Sequence, residues 1–249
     1  MTAPVIAFCA VAWAYVLYLA WGMENMDVGA EMLLMPAMVG WGGVDLLLVL
    51  LMWVVMMAAM MLPSALPMLR TYAALGHRTA PASAQRNTLA FAAGYLAVWG
   101  GFSVLATLGQ WGLLEARLVS PMMEASSRWL SGLLLLGAGI YQLTPWKAAC
   151  LTRCRSPLAF FMTEWRAGWP GALKMGWSHG LYCLGCCWAL MLLLFVMGVM
   201  NVAWILALAV LVLFEKRTPI QHWLPRASGA IFSLWGLFLL LRAGSELAR

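Results

Sequence analysis

The residues best equipped for chemistry lie in one run, KMGWSHGLYCLGCCW, residues 174–188. At 100° per residue and with His179 at zero, Met175 falls at about −40°, Cys186 at about −20°, Cys183 at about +40° and Cys187 at about +80°. One face about 120° wide therefore carries an imidazole, three thiols and a thioether. The distance along the axis from His179 to Cys187 is only about 12 Å. Thiolate and thioether sulfur select Cu(I), imidazole accepts copper or zinc, and Mg²⁺ or Ca²⁺ would want carboxylates. Gly176 and Gly180 flank this face four residues apart, the spacing of small residues that lets another helix approach closely. A histidine inside an apolar run is costly unless it has a partner, so His179 is a candidate site residue by default.

A second stretch, MWVVMMAAMMLPSALPM over residues 52–68, gathers six methionines, two prolines and a serine. Met52, Met56, Met57, Met60, Met61 and Met68 fall within one half of a helical wheel, while Leu51, Val54, Val55, Ala58, Ala59, Leu62 and Ala65 fill the other. Thioethers of this kind are soft ligands and also flexible fillers of apolar space. Pro63 and Pro67 should bend or loosen the inner end of this segment and free backbone carbonyls, with Ser64 placed to help satisfy them, unless the helix simply ends at Arg70. A third set is Cys150 and Cys154 in YQLTPWKAACLTRCRSP. Four apart, they share a face of a short helix. Arg153 and Arg155 should lower their thiol pKa. They suit either a relay pair for a soft metal or a redox pair. Cys9 is isolated and reads as packing.

The acidic residues offer less. Asp45 begins the methionine-bearing run and reads as interfacial. Glu215, in FEKRTP, is expected to cap a charge cluster with Lys216 and Arg217. Glu24, Asp27 and Glu31, among Met23, Met26, Met32, Met35 and Met38, make an acidic, methionine-rich segment that reads first as a solvated loop and second as an attractor of cations at an entry. His77 and His222 read as loop histidines. No paired carboxylates, phosphate-binding glycine loop, Ser/His/Asp set or haem signature appears.

The elements that must position these groups follow from composition. Of 249 residues, 64% are hydrophobic and only 10% charged, against about 25% charged in soluble domains. The chain thus reads as an all-α, polytopic transmembrane helical bundle, a single domain over 1–249. A span needs about 20 apolar residues, and the runs at 4–21, 44–69, 89–114, 129–143, 175–199, 202–214 and 227–241 predict about seven. Arg70, Arg78 and Arg86, then Lys147, Arg153, Arg155, Arg166 and Lys174, then Lys216, Arg217 and Arg226 fall on one side of such a bundle. Arg117, Arg128, Arg242 and Arg249 fall on the other, eleven against four. The positive-inside rule then puts the N-terminus in the cytoplasm and the C-terminus in the periplasm. The same rule puts the inner methionines, Met56, Met57, Met60 and Met61, at the depth of His179 to Cys187. The six cysteines sit too much within apolar runs for a secreted disulfide framework. The net charge of +6 lies in short loops and does not suggest nucleic acid.

The runs WVVMMAAMMLPSALPM, YQLTPWKAACLTRCRSP and GWSHGLYCLGCCWALMLLLFVMGVMNVAWI, with the FEK that ends the sixth apolar run, resemble a bacterial family of predicted metal-binding integral membrane proteins, a domain of unknown function. The resemblance covers the second to the sixth run. It implies an inner-membrane protein with a metal site, and its motif positions here are Met56, Met57, Met60, Met61, Pro63, Cys150, Cys154, His179, Cys183, Cys186, Cys187 and Glu215. It supplies no reaction.

Residues and resemblance together predict copper handling: Cu(I), with zinc as second choice, bound by Met, Cys and His between the second and fifth runs for buffering, transport or delivery. The partners would be the lipid bilayer, the metal ion and a metallochaperone or copper enzyme. A binding protein is favoured over an enzyme. The rival readings are a membrane thiol or copper-dependent oxidoreductase and a structural subunit of a membrane complex.

Overall fold

A computed structural model describes residues 2–24, 41–119, 125–217 and 223–247. The acidic, methionine-rich segment lies largely outside them, as does His222. The described residues are helical almost throughout, in the order α1 (Thr2–Glu24), α2 (Gly43–Thr79), α3 (Ala84–Glu115), α4 (Arg128–Gln142), α5 (Pro145–Arg155), α6 (Pro157–Glu164), α7 (Gly168–Leu192), α8 (Leu194–Met197), α9 (Val202–Arg217) and α10 (Trp223–Leu247). Among the described residues β structure is limited to one isolated antiparallel bridge, Val119 to Ala125.

Every expected apolar run falls on a helix, but the lengths divide them. Four helical stretches are long and apolar enough to cross a membrane: Gly43–Thr79, Pro81–Glu115, Gly168–Met197 and Trp223–Glu246. The apolar part of α1, Val5–Trp21, is shorter. So are α4, with 15 residues, and α9, with 16. At 1.5 Å per residue these two rise about 22 and 24 Å, short of a hydrocarbon core about 30 Å thick.

Sequence chemistry sets the ends. Gly42 donates its N–H to Asp45 Oδ2 at 2.8 Å, opening α2 and giving Asp45 a capping role. Thr144 accepts from the Lys147 N–H at 3.3 Å and Pro145 opens the first turn of α5, where a proline loses no helical hydrogen bond. Gly198 closes α8 at φ +93°, a conformation open chiefly to glycine.

α2 is the central helix. It runs unbroken through Pro63 and Pro67 to Thr79, so the second run does not end at Arg70, and His77 and Arg78 lie on a helix rather than in a loop. Each proline frees the carbonyl four residues before it. Ala59 O accepts from Trp13 Nε1 of α1 at 3.2 Å, and Pro63 O accepts from Arg217 Nη2 of α9 at 3.2 Å. Neighbouring helices do what was expected of Ser64, whose hydroxyl donates instead to Met61 O at 2.7 Å. Residues 56–62 are all buried, so methionine and aliphatic faces alike are covered by other helices.

Two pairs of helices pack especially closely, α3 with α7 and α4 with α10. In the first, a Cβ on Gly176 would lie 2.0 Å from Phe91 O, and one on Gly94 would lie 2.2 Å from Leu173 O. In the second, a Cβ on Gly236 would lie 2.5 Å from Leu136 N. α5 lies against α7 and α9 against α2. The helix that uses the groove at Gly176 and Gly180 is therefore α3, and α2 and α7 are not a close-packed pair.

Candidate metal centre

Cys183, Cys186 and Cys187 on α7 are at most 1% exposed, as is His179. The sulfurs of Cys186 and Cys187 lie 3.3 Å apart, and Cys186 Sγ donates to Cys183 O at 3.1 Å. From α5, which packs against α7, Cys154 shares the helix face of Cys150 and acts electrostatically on Cys183 and Cys186. Cys150, one turn earlier, packs its sulfur on Gly185, where a Cβ would meet it at 2.8 Å. Both α5 cysteines thus face α7, as their spacing predicts, and both stay partly exposed while the three on α7 are buried.

Their acidity is not what the flanking arginines suggest. The contact with Cys183 holds the Cys154 thiol well above its ordinary range, and burial raises Cys150. Arg153 turns away to Tyr182, its guanidinium carbon 5.5 Å from the ring centroid.

His179 sits in an aromatic cage. It stacks on Tyr95 with centroids 5.5 Å apart and on Phe91 at 6.1 Å, and Phe160 meets it edge-on at 5.7 Å. Its Nδ1 is buried and has no hydrogen-bond partner among the described residues. A buried imidazole nitrogen left in this way costs about 1–3 kcal/mol.

Two more residues reach Cys183: Tyr95, which the sequence does not single out, and Lys216, which it places in a charge cluster with Glu215. Tyr95 OH, on α3, lies 3.1 Å from Cys183 Sγ and 3.2 Å from Met61 O. Lys216 Nζ, at the end of α9, donates to Cys183 Sγ at 2.8 Å and to Ser64 Oγ at 3.0 Å. Of these two partners only Cys183 can carry a charge opposite to an ammonium, so this is the contact at which charge assistance is open to the lysine. Tyr95 gives no sequence signal beyond an aromatic beside Gly94. Lys216 gives one, a cation directly after an apolar run.

The proposed Glu215 cluster is differently made. Lys216 turns to Cys183 and Arg217 to Pro63 O, so neither pairs with Glu215. Its carboxylate pairs with Lys147 of α5 at 2.6 Å, both side chains 1% exposed, and accepts from Gln142 Nε2 at 2.9 Å. Lys147 also donates to Gln142 Oε1, and Ser228 joins through Gln142.

The methionines are divided. Met56, Met57, Met60 and Met61 are buried in α2, and Met61 is tied to the thiols through its backbone carbonyl and Tyr95. Met52 and Met68 are buried at either end of the stripe. Met175 turns its sulfur to the Arg166 N–H at 3.4 Å, away from the donor set its wheel position assigns it.

The donor chemistry fits a soft cation: four thiols, one of them in contact with Lys216 Nζ, and on the same helix an imidazole nitrogen without a partner among the described residues. Among the described residues no three or more His, Cys, Asp or Glu side chains already stand around one point as a metal cage. Cys186 and Cys187 share a hydrogen-bond contact instead. Sulfurs sharing one metal at about 2.3 Å would stand about 3.8 Å apart, so Cys186 and Cys187 would need to open by about half an ångström.

No curated protein and no solved structure matches the chain. A family model does, over residues 50–239, a stretch that spans α2 to most of α10 and contains all of the thiols except Cys9. The chain belongs to the copper chaperone family PpoB2.

Proposed function

We propose that this chain holds Cu(I) at the junction of α5 and α7, with Cys154, Cys183, Cys186, Cys187 and His179 as the donor pool. The observation that supports this reading is the packing of α5 on α7, which seats Cys150 against Gly185 and turns Cys154, on the same face, toward the buried α7 thiols, with His179 Nδ1 one turn before Cys183 and unpartnered among the described residues. Soft sulfur in a dry space favours Cu(I), with zinc second. Met56, Met57, Met60 and Met61 supply a soft, deformable wall rather than the primary ligands.

Lys216 gives the site its resting charge balance. Cu⁺ arriving at Cys183 leaves the buried net charge unchanged when one proton departs in exchange, from Lys216 or from a neighbouring thiol, and so avoids the several kcal/mol that an uncompensated buried ion costs. Cys150 and Cys154, partly exposed, form the route by which copper is passed to or from a metallochaperone or copper enzyme by thiolate exchange. The chain does this as a multi-pass protein of the bacterial inner membrane. The four long apolar helices support that placement. The arginine and lysine bias supports a cytoplasmic N-terminus and puts the α5 end of the site inside.

The test is anaerobic Cu(I) titration of the full chain in detergent against a chromogenic chelator. The expected result is about one tightly held copper per chain, lost in Cys183→Ser/Cys186→Ser. Substoichiometric copper that the double variant leaves unchanged would contradict the proposal.

A further inference from the structure

The centre leaves one polar cavity unused. It has a volume of about 310 Å³ and lies where α4 ends and α5 and α10 begin, lined among others by Gln142, Thr144, Lys147, Thr152, Arg155 and Arg226. That volume is at the lower end of the range for small-ligand sites, about 300–1,000 Å³. Lys147 is already neutralised by Glu215. Arg155 is not: its Nε and Nη2 are buried and have no hydrogen-bond partner among the described residues. Glu215 acts on Arg155 only through its field, since its oxygens are taken by Lys147 and Gln142. Arg226 adds a second guanidinium at the exposed side of the cavity. Thr144 and Pro145, the cap and first residue of the eleven-residue α5, form part of the wall, and the first turn of a helix favours an anion.

We propose that this cavity binds the phosphate group of an anionic phospholipid. A partly buried guanidinium whose Nε and Nη2 have no partner among the described residues suits a bidentate oxyanion, and basic pockets between helices on the cytoplasmic side of a membrane take lipid phosphates. The position favours lipid over free phosphate. Trp146 and Trp223, at the first turns of α5 and α10, are 75% and 67% exposed, and exposed tryptophans mark the headgroup level of a bilayer. The inference rests on the membrane reading of the chain but not on copper.

Thermal unfolding of the full chain in a neutral detergent tests it, with dioleoylphosphatidylglycerol, dioleoylphosphatidylcholine or inorganic phosphate as the added probe. Phosphatidylglycerol should raise the midpoint and phosphatidylcholine should not. Arg155→Gln should weaken the apparent affinity for phosphatidylglycerol about ten-fold or more. Arg226→Gln, at an exposed position that folding should tolerate, should weaken it by a smaller factor. Equal responses to the two lipids, or an Arg226→Gln protein that responds like wild type, would overturn the site. Inorganic phosphate that reproduces the full shift, with phosphatidylglycerol no better, would overturn the lipid as occupant. Copper titration of the same preparations separates this outcome from a failure of the copper reading, because Arg226 has no part in the thiol centre.

Discussion

At the scale of single residues the centre depends on Lys216. Its ammonium holds Cys183 and Ser64 together, so it links α9 to α7 and α2 in one step. Lys216→Met removes the donor from two buried acceptors, and the copper-free protein should lose about 1–3 kcal/mol of stability. If copper takes the lysine's place at Cys183, the copper-loaded variant should lose markedly less. Denaturant unfolding of both proteins, with and without copper, checks this. An equal loss in the two states would mean that Lys216 is only a structural link. The lysine was legible as a cation next to an apolar run but not as a partner of Cys183. Nothing in FEKRTP says which helix its side chain will meet, and that is decided by where α9 packs.

At the scale of helices, α3 and α7 approach through glycine. Gly176→Ala would set a Cβ 2.0 Å from Phe91 O, a backbone atom that cannot swing aside. It should destabilise the protein by about 3 kcal/mol or more and loosen the cage around His179. Gly100→Ala, in α3 with nothing within 4 Å of the new Cβ, should be neutral or stabilising by up to about 1 kcal/mol. Thermal unfolding of the two variants side by side measures the contrast. Comparable destabilisation by both would contradict the close approach. The donor face of α7 is legible from sequence because helical periodicity alone brings His179, Cys183, Cys186 and Cys187 together. The glycines also signal an approach, but only their counterpart Gly94 identifies α3 as the helix that makes it. The carbonyls that Pro63 and Pro67 release are equally legible. That Trp13 and Arg217 donate to them is not, because those donors lie far away in the chain and are brought in by tertiary packing alone.

At the scale of the whole molecule, α2 forms the axis on which the rest is built. Helices α1, α3, α6 and α9 lie against it, α7 is reached through α3, and α5 closes over α7 with its two cysteines. The all-α architecture is legible from composition, since a chain this apolar has few other ways to satisfy its backbone in lipid. The number of crossings is less so, because α4 and α9 are apolar without being long enough to span the bilayer unaided. In the proposed membrane reading, orientation is argued from the arginine and lysine bias. Alkaline phosphatase fused after Arg249 should be active, and fused after Thr79 it should be silent. Activity at Thr79 would invert the orientation and put Cys150 and Cys154 on the outer side.

The central claim is that Cys154 of α5 joins the α7 thiols and His179 around one Cu(I). Copper K-edge X-ray absorption of the anaerobically loaded full chain tests it most directly. Wild type should show a Cu(I) edge and a nearest shell dominated by sulfur at about 2.2–2.3 Å. Cys154→Ser should lose part of that sulfur shell, while Cys9→Ser should leave it intact. A shell dominated by nitrogen and oxygen, or one that Cys154→Ser leaves unchanged, would contradict the claim.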